Sequence, residues 1–367
     1  MRLTNYWWLL LWLFTGGAFL AAAFPRQREQ ICGQIEYRWH WLPAVGLMLP
    51  YWVWATWREW FGDTEMYRKS FLEAPDSLAE LGTYLAEIEK DKGYYTLAAV
   101  FKLLISHSDI VFFGFIAAVQ IWAMVKIFRR YSSNYWVSVF LFIVSTDYLS
   151  WMQNGMRQFL ATTIIFAAFG LMLHRRWLPL ILVILLASTI HGSALIMLPI
   201  VFIVQGKALN WKTVWTVAAM LLVVLMIDRF TPFLNDLLAE TQYNDMINNE
   251  IWVVDDGTNI IRVLVYSVPA LLAIVGRKYV WAADDPVINL CVNCSLITMG
   301  IYLVASVSSG IYIGRLPIYT TLMGYISMPW LIDHMFERRS AQLVNGMMVL
   351  FFIAFFYFQM HFTWAML

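Results

Sequence analysis

The chain has 367 residues, of which 61% are hydrophobic and 13% charged, with a formal net charge of +1 at pH 7. Soluble domains carry roughly 25% charged residues, so a mean hydropathy of +0.63 excludes an ordinary soluble domain and defines an integral membrane protein. The near-neutral balance also excludes nucleic acid as a partner, because tracking phosphates needs a clustered basic excess.

Apolar runs near the roughly twenty residues that cross a bilayer recur along the whole chain. They predict an all-α, polytopic membrane protein with about ten full transmembrane helices: 6–24, 41–57, 109–128, 135–151, 158–173, 213–230, 260–276, 287–306, 316–332 and 343–359. The first run ends in Pro25 and Arg26 instead of a small-residue cleavage site, so it reads as a retained helix and not a signal peptide. Nineteen Trp and eighteen Tyr fit aromatic belts at two water interfaces. No soluble domain, repeat or low-complexity tract interrupts the pattern, and 1–367 reads as a single integral membrane domain.

A polar loop follows the second run at 58–93, with a surface helix over 76–92, and 94–106 reads as an amphipathic, interfacial helix. Within the loop stands FGDTEMYRKSF. Asp63 and Tyr67 share a face if this is a helical turn, and Phe61 and Phe71 can dock it on the bundle. Asp63 can accept a proton from a sugar hydroxyl or simply cap the helix.

The run 177–204 is too long for one ordinary span and too short for two. Ser188, Thr189, His191, Gly192 and Ser193 break its middle, giving either a kinked helix or a re-entrant pair of half-helices. Charge asymmetry favours the re-entrant form. It puts Arg129, Arg130, Arg175, Arg176, Lys207, Lys212, Arg277, Lys278, Arg338 and Arg339 on one side, which is then cytoplasmic. The acidic segment 232–259, both termini and the 58–93 loop fall outside. Each half-helix would be about 20 Å long, lifting His191 into the outer part of the bilayer.

Ionisable groups within spans are costly and are functional candidates by default. Arg157, Arg262 and Arg315 each fall at the outer start of an inward-running helix, where free backbone donors also favour an anion. Guanidinium groups bind phosphate oxygens through forked hydrogen bonds, so a diphosphate at the outer leaflet suits them. Snorkelling to headgroups is the plain alternative for each. Asp228 sits beside Arg229 and makes that arginine the weakest case. Asp255 and Asp256 offer a second base or a solvated acidic face. The CVNC pair Cys291 and Cys294 resembles half a zinc or redox site, but packing within a helix is the better reading. No histidine has metal-ligand spacing, and no cofactor is implied.

In order, GDTEMY, DKGYYTLAAVFKLL, NGMRQFLA, LASTIHGSALIMLP and GRLPIYTTL resemble the EpsG-like branch of Wzy-type polysaccharide polymerases. The resemblance runs from about position 57 to the last spans. It implies a glycosyltransferase of the bacterial inner membrane that joins undecaprenyl-diphosphate-linked oligosaccharide repeat units at the periplasmic face, as in O-antigen, capsule or exopolysaccharide synthesis. Donor and acceptor would both be lipid-linked, no nucleotide sugar would be used, and a chain-length regulator is a possible partner. By motif, the resemblance carries over to Asp63, Tyr67, Arg157, Gln158, His191, Ser193, Arg315 and Tyr319. Arg262 is added from topology alone. Phe159 stands where smaller residues are common and bears on pocket shape.

The expected division of labour makes Arg157 and Arg315, with Arg262, the diphosphate clamp, Asp63 or His191 the general base, and Tyr67, Gln158, Ser193 and Tyr319 substrate-binding residues. Trp151, Tyr148 and Tyr67 can stack on sugars or serve as belt aromatics. A flippase for lipid-linked oligosaccharides and an acyltransferase with a buried histidine are the rival classes.

Overall fold

The structure, a computed structural model, describes residues 6–58, 61–226, 257–308, 310 and 312–364. These fall into two compact units, one formed by residues 1–198 with 332–367 and the other by 199–331.

The first unit opens with helix α1 (Tyr6–Ala23), followed by strands β1 (Gln27–Ile31) and β2 (Gln34–Arg38). Next come α2 (Trp41–Thr56), α3 (Thr64–Leu72), α4 (Leu78–Glu87), α5 (Lys92–Leu104), α6 (Asp109–Tyr131) and α7 (Tyr135–Val144). A π-helical turn at Tyr148–Asn154 leads into α8 (Met156–Ala167), α9 (Phe169–Leu173) and α10 (Trp177–Ile190). Helix α6 is the axis of the unit and packs against α2 and α8, while α10 lies on both α8 and α5. The loop over α3 is anchored as its aromatics predict. Phe71 stacks on Phe112 at 4.6 Å, Phe61 packs on Trp364 at 4.9 Å, and Arg68 of α3 pairs with Asp109 of α6 at 2.6 Å. Helix α4 buries no residue, as a surface helix should.

The second unit carries most of α11 (Met197–Ile203), all of α12 (Trp211–Leu225), α13 (Ile260–Val275), α14 (Arg277–Ala283) and α15 (Pro286–Ala305), and most of α16 (Ile318–Met335). Helix α15 packs on both α12 and α13. Its start is fixed by Pro286 in the first turn and by the Asp285 carboxylate, which accepts the N–H of Val287 and Ile288. Cys291 and Cys294 are fully buried free thiols within α15. The last helix, α17 (Arg338–Phe358), belongs to the first unit.

One expectation is corrected. The helical, polytopic class holds, but ten full spans do not. Among the described residues four helices are long and apolar enough to cross a membrane: Tyr6–Ala23, Asp109–Tyr131, Pro286–Ala305 and Arg338–Thr363. Ile260–Val275 and Arg277–Ala283, bent by 69°, make a fifth if counted as one span. Two of the other apolar runs are cut by turns that their hydropathy hides. The run at 135–151 stops as a helix at Val144, and that at 158–173 is interrupted at Ala168. At 1.5 Å per residue, the 12 residues of α8 cover far less than a bilayer core of about 30 Å.

Among the described residues one short hairpin accompanies the helices and leaves the all-α class unchanged. Strands β1 and β2 pair antiparallel with Ile31 opposite Gln34, so Cys32 and Gly33 form a two-residue turn with φ of 47° and 86°. Positive φ at both positions is the type I′ geometry that matches strand twist. Arg129 holds the hairpin to the end of α6 by donating to Glu29 at 2.5 Å and to the Trp39 carbonyl at 2.9 Å.

The run 177–204 is broken at His191, which ends α10 in an extended conformation before a 3-10 turn at Gly192–Ile196. Of the acidic segment 232–259 only the last residues are described. Arg229, Asp255 and Asp256 lie outside the described residues.

Candidate functional site

The NGMRQ motif sits where the π-helical turn hands over to α8. Wide i to i−5 pairing, with the Gly155 N–H donating to the Ser150 carbonyl at 3.1 Å, ends at Gly155, and α8 starts one residue later. Such π segments recur at functional sites because they reset the phase of side chains along a helix. Arg157 thereby enters a cage of tyrosines. Its guanidinium carbon lies 5.8, 5.7 and 5.8 Å from the rings of Tyr67, Tyr94 and Tyr95, within cation–π range. Nη1 donates to the Tyr95 hydroxyl at 3.2 Å and pairs with Asp91 Oδ2 at 3.3 Å. Nε is buried with no hydrogen-bond partner among the described residues.

Asp91 connects this cage to the histidine-bearing break. Its second oxygen, Oδ1, accepts the backbone N–H of Gly192 at 3.1 Å. Beside it the His191 Nδ1 and the Ser193 Oγ are 2.8 Å apart, and Gln158 donates from Nε2 to the same Oγ at 3.2 Å. Neighbouring residues of α8 therefore serve the two halves of one cluster, Arg157 the acid and Gln158 the hydroxyl. Gly93 permits the approach. A Cβ at that position would stand 2.2 Å from Thr189 Oγ1 and 2.8 Å from the Thr189 carbonyl carbon, so only glycine lets α5 meet the end of α10 this closely.

Asp63 is held to the same turn from the other side. Asn154 Oδ1 accepts the Asp63 backbone N–H at 2.9 Å, and Gly62, at φ 50°, passes so near that a Cβ would fall 1.9 Å from that oxygen. Asp63 occupies the N-cap of α3 yet makes no capping bond. Its part-exposed carboxylate has no hydrogen bond or ion pair among the described residues. One turn on, Tyr67 is buried and faces both Arg157 and Asp63. Burial pushes its phenol up, against the pull of Arg157, so it stays a neutral donor.

Arg58 fastens the base of this loop. Its guanidinium donates to the carbonyls of Met152 and Gln153 at 3.3 and 3.1 Å and lies 4.2 Å from the Phe113 ring. Burial pulls it down to about 10, which leaves it a cation at neutral pH.

In the second unit, Arg262 lies in the first turn of α13, where Asn259 caps by accepting the Ile261 N–H, and its guanidinium is 5.6 Å from the Tyr266 ring. Arg315 closes the 3-10 turn Ile313–Arg315 and is exposed. Tyr319, in the first turn of α16, is buried.

The structure thus brings together Asp63, Tyr67, Arg157, Gln158, His191 and Ser193, all in the first unit. Sequence reasoning missed Asp91, Asn154, Arg58 and the tyrosines Tyr94 and Tyr95. Asp91, Tyr94, Tyr95 and Asn154 all stand inside motifs that had been noted. Their signal was proximity to a candidate residue rather than any chemistry of their own.

The class these elements define is a polytopic, helical membrane protein with a cationic, tyrosine-lined polar cluster. The chain belongs to the EpsG family, which it matches over residues 41–365, a family of the Wzy-like polysaccharide polymerase type. Comparison with curated proteins and with solved structures gives no match.

Proposed function

We propose that the protein is a glycosyltransferase that polymerises undecaprenyl-diphosphate-linked oligosaccharide repeat units at the periplasmic face of the bacterial inner membrane. The observation that carries this reading is Arg157. It is a guanidinium at the start of a buried helix, ringed by tyrosines and joined through Asp91 to the His191 break, in a chain of the EpsG family.

In the proposed reaction an acceptor sugar hydroxyl attacks the donor's anomeric carbon. The new C–O bond forms as the bond to the diphosphate oxygen breaks, and the leaving electron pair stays on the diphosphate. Arg157 stabilises that growing charge by forked hydrogen bonds, which a fixed cation provides without reorganisation. Asp63 takes the hydroxyl proton, a role compatible with its unengaged carboxylate. His191 orients the sugar. Ser193, whose Oγ accepts from Gln158 Nε2 and lies 2.8 Å from His191 Nδ1, holds the ring in place for that task. Tyr67 and the half-exposed Tyr95 border the donor sugar. Arg262, Arg315 and Tyr319 lie in the second unit, and their own variants test whether each takes part in the reaction.

The deciding experiment supplies purified protein in nanodiscs with lipid-linked repeat units. Longer lipid-linked glycans are expected. Unchanged glycans moved to the opposite leaflet would make the protein a flippase, and acyl transfer would make it an acyltransferase. Either result overturns the proposal.

A further inference from the structure

We propose that the Asp91 carboxylate is the built-in occupant of the anion site at Arg157, and that a lipid diphosphate binds by displacing it. The inference rests on the reading that Arg157 receives a diphosphate, and it adds how access to that site is controlled.

Asp91 is placed as a bound anion would be. One oxygen lies 3.3 Å from Arg157 Nη1 and the other accepts the Gly192 N–H at 3.1 Å. A guanidinium and a backbone amide on one small anion are the donors that phosphate oxygens also use. The carboxylate does nothing for its own helix. Asp91 stands at the N-cap of α5 in the left-handed region, φ 57° and ψ 34°, without a capping bond.

The carboxylate leaves Arg157 underused. Nε is buried without a partner among the described residues, while Nη1 serves both Asp91 and Tyr95. A diphosphate has more oxygens to offer. Beside the Gly192 N–H the space is open, since a Cβ built on Gly192 meets nothing within 4 Å.

Both anions cannot stay. Two like charges sharing one guanidinium repel, so a diphosphate at Arg157 requires Asp91 to withdraw or be neutralised. Withdrawal needs only a side-chain rotation. The Asp91 carbonyl remains fixed to the Tyr94 N–H at 2.9 Å, and the neighbouring Lys92 is an exposed cation that can receive the carboxylate. Affinity for the incoming diphosphate is then reduced by the fraction of molecules whose site is vacant.

The test uses the full chain in nanodiscs with farnesyl diphosphate as the probe. Asp91→Asn keeps the shape and removes the charge, and Asp91→Gly removes the side chain while tolerating the positive φ. Both are expected to bind about tenfold more tightly than wild type, as for a site vacant about a tenth of the time. Arg157→Lys should abolish the gain in either background. In wild-type protein, the side-chain carboxylate carbon signal of Asp91 should shift when the probe binds, as the carboxylate leaves Arg157, a readout that needs no variant.

Equal or weaker binding by both Asp91 variants, with Arg157→Lys still impaired, would make Asp91 a residue that positions Arg157. That overturns this inference and leaves the proposed function standing. An Asp91 carboxylate signal that does not move on binding overturns it equally. If Arg157→Lys binds as well as wild type, the diphosphate is not at Arg157 and both readings fall together.

Discussion

Asn154 accepts the backbone N–H of Asp63 at 2.9 Å, so one hydrogen bond joins the GDTEMY loop to the NGMRQ turn. The two motifs lie far apart in the chain, and this bond fixes the proposed base relative to the helix that carries the proposed phosphate ligand. Asn154→Ala leaves the Asp63 N–H without that acceptor, a cost of about 1 kcal/mol at a part-buried position. Polymer yield should fall more than thermal stability does, because positioning is lost before folding is. Gly62→Ala should be harsher, since its Cβ would overlap the Asn154 oxygen at 1.9 Å and sit at positive φ. Thermal unfolding and in vitro polymerisation of both variants check the order.

Arg157→Lys keeps a positive charge in the tyrosine cage but loses the planar fork. Removal of one well-placed donor to a developing anion typically costs about 10²-fold or more in rate, and a comparable loss of polymer is expected with normal expression and folding. Arg315→Lys, tested separately, should also lower polymer formation. Full activity in that variant would remove Arg315 from the donor set without touching Arg157.

Ser193 links two proposed substrate ligands, since its Oγ meets His191 Nδ1 and Gln158 Nε2. Ser193→Ala should release the imidazole and lower kcat roughly tenfold, the equivalent of a hydrogen bond worth about 1–1.5 kcal/mol. Ser193→Thr restores the hydroxyl and should recover most of the rate. A purely structural serine would show the reverse, with stability rather than kcat tracking the substitution.

Much of this cluster was legible in the sequence because it is written in costly residues. An arginine or histidine inside apolar sequence demands a reason, and Arg157 and His191 do meet in one polar network, through Asp91 and through the adjacent Gln158. What stayed hidden depends on backbone geometry. The π-helical turn at Tyr148–Asn154 begins inside the run 135–151, whose hydropathy reads as a single span. The Cys32–Gly33 turn of the hairpin falls in a short polar connection between apolar runs, where a search for spans does not look. Asp91 reads as an ordinary charge in DKGYY, and only the fold of α5 onto α10 shows that it faces Arg157.

Gly93 controls that last contact. Helices α5 and α10 approach so closely there that Gly93→Ala would push a Cβ to 2.2 Å from Thr189 Oγ1 and 2.8 Å from the Thr189 carbonyl carbon. The side-chain overlap can be relieved by trimming Thr189, but the backbone overlap cannot. Overpacking of this kind costs typically about 1–3 kcal/mol, and the strain falls two residues from Asp91. Gly93→Ala should therefore lower the melting temperature and loosen both Asp91 contacts, seen as faster amide exchange over 88–95 and 190–194. Gly93→Ala combined with Thr189→Ala should recover only part of the stability. Full recovery in the double variant would mean that the close approach is made by the threonine side chain alone and that the backbones have room to spare.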